Sequence, residues 1–549
     1  MSFVSEETTA CGTRHFGRVG LLALLVIAVG AQAWEVRFRG IDPDELVHLH
    51  TAFSISTGDL MYRDFFAYHG PGLSYLLQPL FWILGPDISV LWCGRALNLL
   101  LAVAALALTW RIAERLTTCG GGLVAAVLLA WTTIFHGKAI ELRPDVPAML
   151  LLVAAVWWLV SAGDSLSLRR CLFAGMLAGF AMLCTQKSVV PAAGLVLAVT
   201  VTEGQRRWIA GISAGVVLGC GVLTAWGLAT AWFAWHHAAG DFLHSTLYQL
   251  AVIPVRSSRW EHLRPTLSAD LSVWVLAGWE LFDTWRTRRQ PETWTSGRGL
   301  IAVLTAWCVF SLVWVKATYP QFYLLWMPFV AVLAGRRAME FCRTVEWKVS
   351  QERWQWRITL VLLSVLELFL VSRALRQGGL GALPHLSEFR ATNMYLGIAA
   401  VAIGELGLVA WLATARGARA TAAKSLILLG MTYGTFRLID TLSWSNNNQV
   451  EMIAEVHRNV PPNGRVLDGF TGLAVFRRHA YYFWWINEYS VALMSPEDRE
   501  SRLLESLKKS PPYAVFIDEH ILRLPAPVVL WIQERYVAPV GPGNLRVVP

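Results

Sequence analysis

Long apolar blocks separated by short basic loops fill the first 440 residues. Blocks of this length predict helices that cross a membrane, not the core of a soluble domain. About thirteen helices are expected on this criterion, near 18–34, 88–110, 120–135, 146–162, 171–186, 188–202, 208–235, 269–284, 299–315, 319–336, 357–374, 394–414 and 423–438. Loop charges set an orientation. With a cytoplasmic N-terminus, the inside loops carry Arg111 and Arg115, Arg169 and Arg170, Arg206 and Arg207, then Arg286, Arg288 and Arg289. Arg336, Arg337, Arg343, Lys348, Arg353 and Arg357 follow, and Arg416, Arg419 and Lys424 come last. This is the positive-inside pattern. The outside then holds 35–87, 136–145, 238–268, 374–393 and everything after about 440. The first apolar block follows Arg14 and Arg18 and is read as a retained helix rather than a cleaved leader.

Near Asn446 the pattern changes. Helical spacing is expected over 450–459, 496–509 and 527–536, and strands over 465–469, 513–518 and near Arg546. The alternation predicts a small extracytoplasmic α/β domain. The domain division is therefore 1–440 for the membrane bundle, with 35–87 as its first external loop, and 441–549 for the C-terminal domain. Tyr481, Tyr482, Phe483, Trp484 and Trp485 form an aromatic strip that favours packing over a carbohydrate platform.

Composition agrees with a mainly α, polytopic protein. The chain is 55% hydrophobic and 15% charged, with a mean hydropathy of +0.46, against about 25% charged in soluble proteins. Its 27 Trp suit membrane interfaces. The net charge of +9 lies in the inside loops, so it reads as topology and contact with anionic lipids, not nucleic acid. The 8 Cys show no C-x-x-C spacing, so neither a zinc ribbon nor a disulfide framework is suggested. No nucleotide-binding glycine fingerprint and no internal repeat is found, and no cofactor is expected.

The first external loop concentrates chemistry. It contains Asp42, Pro43, Asp44, Glu45, His48 and His50, then Tyr62, Arg63, Asp64, Phe65, Phe66, Ala67, Tyr68, His69, Gly70 and Pro71. Pro43 keeps Asp42 extended, so a helix is expected to start at or near Asp44, placing Asp44 and His48 on one face. An exposed acid there can serve as a general base. The bland alternative is an N-cap at Asp44 with Glu45 in the first turn. His48 and His50 point apart at i and i+2, so no metal site is expected. Residues 62–75 read as a short helix on the membrane, broken at Gly70, Pro71 and Gly72; a local salt bridge is the alternative for Arg63 and Asp64. His136, Lys138, Arg143, Lys187, Arg256, Arg259, Arg264 and Lys316 sit at or near external helix ends, against the charge rule. As a group they suit an anionic headgroup; singly, each can be a snorkelling anchor.

These motifs resemble the membrane glycosyltransferases of the protein mannosyltransferase and aminoarabinose transferase-like group, which have the C-type (GT-C) fold. The resemblance rests on the Asp44–Glu45 pair after the first helix and on the run from Gly58 to Pro71. Glu141, Leu142, Arg143, Pro144 and Asp145 at the fourth helix add to it, as does the run from Lys316 to Pro328. It covers roughly the first 340 residues. It implies inverting transfer from a polyprenyl-phosphate-linked sugar to an acceptor hydroxyl of a glycan, lipid or protein. It implies a catalytic pair, Asp44 and Glu45, with Asp44 as base. Substrate contacts are implied for Asp42, His48, Arg63, Tyr68, His69, Lys138, Arg143, Asp145, Lys316, Tyr319 and Tyr323. His69 stands where many relatives have a lysine, which shifts weight for the phosphate to Arg143 and Lys316. The expected location is a bacterial-type inner membrane. The rival readings are a flippase of lipid-linked saccharides and a lipid-linked glycan ligase or polymerase. Charges at one face and the missing repeat favour an enzyme over a transporter.

Overall fold

A computed structural model of the chain describes residues 4–117, 120–163, 166–205, 207–248, 259–290, 293–294, 297–315, 319–343, 445–540 and 544–548. The helices expected at 357–374, 394–414 and 423–438 lie outside the described residues, as do Arg256 and Lys316.

The bundle begins with α1 (Val4–Phe38), α2 (Pro43–Ser56), α3 (Gly72–Leu84) and α4 (Ser89–Leu116), followed by α5 (Gly121–Trp131), α6 (Thr133–Lys138) and α7 (Asp145–Val160). Next come α8 (Leu168–Cys184), α9 (Val189–Gly204), α10 (Trp208–Trp235) and α11 (Ala239–Leu243), then α12 (Arg259–Ala269), α13 (Leu271–Arg286), α14 (Arg298–Ser311), α15 (Pro320–Leu324) and α16 (Met327–Arg343). Among the described residues, Arg18–Phe38, Ser89–Leu116, Gln186–Gly204 and Trp208–Trp235 are long and apolar enough to cross a membrane. With their exposed Leu, Val and Trp side chains, they make this an integral membrane protein.

Three expectations are corrected. The helix expected over 120–135 divides at Thr132, whose extended backbone and side-chain oxygen cap α6 by accepting from Phe135 N–H at 3.3 Å. The helix expected over 319–336 divides into α15 and α16, where Pro328 lacks the N–H needed to continue the turn. Residues 62–71 are not a helix lying on the membrane; the helix starts at Gly72, where the break was expected.

Small residues bring the helices close. Among the described residues, the contact between α8 and α10 is the most extensive between two helices. A Cβ on Gly175 would strike the Leu218 carbonyl and lie 3.0 Å from Gly221 Cα, and one on Gly221 would strike the Leu172 carbonyl. Helices in lipid gain association energy from such backbone proximity, because burying apolar side chains there gains nothing over lipid.

At the end of the bundle away from the first loop, α13, α14 and α16 share a buried carboxylate. Glu280 pairs with Arg298 at 2.7 Å, with Arg336, and with Arg337 at 3.4 Å. Arg336 and Arg337 therefore lie within α16, not in a free basic loop.

The C-terminal unit opens with α17 (Asn447–Asn459) and continues through β1 (Arg465–Leu467), β2 (Arg478–His479), α18 (Glu488–Leu493), α19 (Leu503–Lys509), β3 (Ala514–Phe516), α20 (Ala526–Arg535), β4 (Ala538–Pro539) and β5 (Leu545–Val547). The sheet order is β2-β1-β3-β5-β4, parallel through β2, β1 and β3 and antiparallel at β5 and β4. Ile453, Val456, Phe476 and Phe516 share a core with Leu46, Leu49, Leu77 and Phe81 of the first loop. The aromatic strip packs on that same loop. Phe66 N–H donates to Tyr482 O at 2.8 Å, and Trp484 Nε1 donates to Phe66 O at 3.0 Å.

Gly175→Val is expected to force α8 and α10 apart and cost about 1–3 kcal/mol, as overpacking does. Thermal unfolding of purified protein in detergent measures it; an unchanged midpoint would show that the crossing tolerates a side chain.

Candidate active site

The sequence of the first loop builds its own helix start. Asp42 is the N-cap of α2: its Oδ1 accepts from Asp44 N–H at 2.9 Å, and Glu45 Oε2 accepts from Asp42 N–H at 3.0 Å. This is a capping box, so the cap belongs to Asp42 and not to Asp44. Asp44 is thereby freed to project from the first turn, and its side chain stays 40% exposed.

Glu45 points the other way. It is fully buried, and Arg95 grips it with two hydrogen bonds of 2.8 and 2.6 Å. Its Oε1 also accepts from Leu142 N–H at 2.7 Å. The three remaining N–H groups of Arg95 go to the carbonyls of Val36, Arg39 and Gly40, which uses all five guanidinium donors. Glu45 has no open surface at which to meet a substrate. The geometry makes it a strut rather than the second catalytic acid expected from sequence.

The segment before α7 supplies the cations. Arg143 spans three carboxylates: Nη1 to Asp44 at 2.7 Å, Nη2 to Asp42 at 3.0 Å and Nε to Glu141 at 2.5 Å. Glu141 also holds Lys138 at 2.8 Å and Arg39 at 2.7 Å. Burial alone would raise the Glu141 carboxyl, but Arg39, Arg143 and Lys138 outweigh it and hold it down to about 2. Burial would likewise raise Asp44, yet Arg143, by its charge and its hydrogen bond, and Lys187 keep it below the ordinary carboxylate value. Asp42, beside it, is raised by burial despite Arg143. Two neighbouring acids are thus driven apart, and Asp44 is the one held ionised.

His69 lies against this cluster, its ring centroid 4.7 Å from that of His48. Burial lowers His69 to about 4, so the imidazole is neutral at pH 7. Its carbonyl accepts from the hydroxyl of Tyr62 at 2.7 Å. Tyr62 itself sits at φ 75, a left-handed backbone uncommon for a bulky residue and one that costs conformational energy. His50, two residues from His48, faces elsewhere: its Nδ1 donates to Val475 O at 2.9 Å in the C-terminal unit.

Lys187, counted in the sequence among the cations suited to an anionic headgroup, is absent from the substrate contacts that the resemblance implies. It follows α8, its side chain is 32% exposed, and it meets buried Asp145 at 3.3 Å. Its charge bears on Asp44, His69 and His48 alike. The available signal was its place at an external helix end. Beside it opens an apolar cavity of about 530 Å³, walled by Pro71, Gly72, Leu101, Pro147, Leu183, Cys184, Trp232 and Phe233. Three walls run directly into the charged cluster: Gly72 from His69, Pro147 from Asp145, and Cys184 toward Lys187. The first wall depends on glycine, since a Cβ on Gly70 would strike the Leu183 carbonyl and one on Gly72 would lie 2.7 Å from Cys184 Sγ.

The structure therefore brings together Asp42, Asp44, His48, His69, Arg143 and Asp145, with Lys138 behind them on Glu141. Tyr68 borders the group, its ring 4.3 Å from His69. Arg63 does not join: it pairs with Asp64 at 2.8 Å on an exposed turn and reaches His236 O at 3.2 Å. Tyr319 lies against His262 at 4.9 Å, and Tyr323 is buried against Trp326 at 5.7 Å. Lys316 falls outside the described residues.

Known proteins agree with this architecture. The dolichyl-phosphate-mannose-protein mannosyltransferase family matches residues 68–235. No curated protein matches the sequence. ArnT from Cupriavidus metallidurans in the apo state superposes with a TM-score of 0.61 at 14% identity, covering 96% of this chain and 97% of that one. The same protein bound to undecaprenyl phosphate gives 0.60 at 14% identity, covering 97% and 98%. The oligosaccharyltransferase of Archaeoglobus fulgidus in the apo form gives 0.51 at 12% identity, covering 90% of this chain and 69% of that one. The chain has the GT-C fold, a helical membrane bundle followed by a small sheet-containing unit.

Glu45→Ala is expected to leave Arg95 buried without its carboxylate and to cost about 3–5 kcal/mol. The loss would appear as a lowered unfolding midpoint of the purified protein, whether or not substrate is present. A midpoint equal to that of the unaltered chain would overturn the strut role.

Proposed function

We propose that this chain is an integral-membrane glycosyltransferase that moves a sugar from a polyprenyl-phosphate donor to an acceptor hydroxyl, with inversion, on the extracytoplasmic face. One observation carries the reading: an ionised, part-exposed carboxylate and a partly exposed lysine belong to one charged cluster, and the segments that carry that cluster, 69–72, 145–147 and 184–187, also wall an apolar cavity. A lipid phosphate needs an apolar groove for its chain and a cation for its head. A sugar transfer needs a base on the acceptor side. The match to the mannosyltransferase family and the likeness to ArnT, crystallised with undecaprenyl phosphate, support that pairing.

In the proposed reaction, the lipid lies in the cavity with its phosphate toward Lys187. Asp44 takes the proton of the acceptor hydroxyl as the oxygen attacks the anomeric carbon. The bond from that carbon to the phosphate oxygen breaks on the opposite side of the sugar, and the electron pair leaves with the lipid phosphate. Lys187 stabilises the growing charge, because a cation fixed in a water-poor site needs no reorganisation. Arg143 holds Asp44 in place and keeps it ionised. His69, neutral, serves as a hydrogen-bonding wall of the sugar site, not as a phosphate clamp. The extracytoplasmic assignment rests on Arg111, Arg115, Arg169 and Arg170, which lie at helix ends opposite the site. The same assignment makes 441–549 an extracytoplasmic domain and the membrane a bacterial-type inner membrane.

Asp44→Asn is expected to lower the transfer rate by about 10²–10⁴-fold, the usual contribution of general-base catalysis. The sign of the pH effect follows from the lowered Asp44 value. Activity should hold as pH falls to about 4, the ordinary carboxylate value, and decline only below it. Pre-steady-state transfer in membranes measures both effects; full activity of the asparagine variant would remove Asp44 from the base role.

Lys187→Ala is expected to raise the donor KM about tenfold, equivalent to about 1.4 kcal/mol, with a smaller change in kcat. A donor titration checks this, and an unmoved KM would place the phosphate elsewhere.

A further inference from the structure

We infer that Asn446 and Gln449, at the start of the C-terminal unit, are positioning residues for Asp44, and that this unit completes the active site instead of merely decorating it. The inference rests on the reading of Asp44 as the base.

The argument starts from the connector between α1 and α2. Its peptide groups leave the ends of two helices without intrahelical partners, and such groups must find others. From the bundle side, Arg95 takes the carbonyls of Val36, Arg39 and Gly40. From the other side, the C-terminal unit supplies further partners. Asn446 Nδ2 donates to the carbonyls of Arg37 and Arg39, both at 2.8 Å. Gln449 meets Ile41 twice: its Oε1 accepts from Ile41 N–H at 2.7 Å, and its Nε2 donates to Ile41 O at 2.9 Å. One primary amide thus pairs with both backbone groups of one residue, as a neighbouring strand would.

Ile41 immediately precedes Asp42, the N-cap that sets the direction of α2. Asp44 lies two residues beyond that cap. Rotation of the Ile41 peptide would carry the cap, the first turn and the Asp44 carboxylate with it. The segment is therefore clasped on both sides, by a guanidinium of α4 and by two amides more than 400 residues away in sequence. Asn446 is buried, so its amide has no water to fall back on. A group displaced by an ångström at a reacting centre loses rate without losing substrate affinity, which separates this role from donor binding. The donor cavity, walled by α3, α4, α7, α8 and α10, touches neither amide.

The test uses the full-length protein in detergent or native membranes and has two arms. In the first, amide hydrogen exchange is followed over 37–46 in Gln449→Ala and Asn446→Ala. Exchange there is expected to be at least tenfold faster than in the unaltered chain, with β1 and β3 protected as before. Gln449→Glu keeps the acceptor for Ile41 N–H and loses the donor to Ile41 O, so its exchange should fall between the two. In the second arm, kcat for sugar transfer should fall about tenfold in Gln449→Ala while the donor KM stays unchanged. Unchanged exchange in both alanine variants, or faster exchange with an unchanged kcat, would overturn the proposal. Asp44→Asn leaves the clasp intact and should show the exchange pattern of the unaltered chain without its activity. Should the unaltered chain transfer no sugar, the functional reading fails, and the exchange arm still decides the clasp.

Discussion

The buried pair between Glu45 and Arg95 is the constraint on which the first loop depends. Taking two charges out of water is expensive, and a pair of this kind adds little net stability. What it gives here is geometry. One guanidinium satisfies a carboxylate and three peptide carbonyls, while that carboxylate also accepts from Asp42 N–H and Leu142 N–H. The end of α1 and the start of α2, neighbours in sequence, are thereby held in register with the distant turn before α7. With Glu45 drawn inward, the helix periodicity leaves Asp44 facing outward. With Leu142 fixed, Arg143 is delivered to Asp44. The charged groups at the surface are in place because an inner layer has no freedom to move.

Much of the fold was legible from residue pattern. The apolar blocks placed the described membrane helices, and the alternation after Asn446 anticipated β1, β3, β5 and the helices α17, α19 and α20. These features are local, carried by burial over a few turns. What the pattern missed was equally physical. Arg95 sits in an apolar block, and nothing near it indicates a partner 50 residues away. Asp42 and Glu45 did carry a legible signal, since Asp at the N-cap and Glu at N3 form a capping box. That spacing already assigns the cap to Asp42 and turns Glu45 back toward the chain. Lys187 was visible as a cation at an external helix end, but its place beside the cavity depends on how α8 packs against Gly70 and Gly72. Tyr319 and Tyr323 read as site residues because they are polar aromatics in a motif; packing sends one toward His262 and the other into the core.

The two ends of the bundle are built alike. At one end, carboxylates of α2 and of the turn before α7 meet Arg95 and Arg143; at the other, Glu280 and Asp283 of α13 meet Arg298, Arg336 and Arg337. Between them the helices touch through small and apolar residues, which lipid rewards only when they fit closely. Polar cross-links at both ends and tight but slippery contacts in the middle make a frame in which the helix ends are better fixed than the helix centres.

That frame has a consequence for the bilayer itself. The helices α4 and α10 each have 28 residues, about 42 Å at the rise of an α-helix, against a hydrocarbon core of about 30 Å. Such helices must tilt or stand proud of the lipid. Because Arg95 lies in the second turn of α4, the height of the carboxylate cluster above the acyl chains follows that tilt. Membrane thickness thereby sets how far the carboxylate cluster stands from the acyl chains.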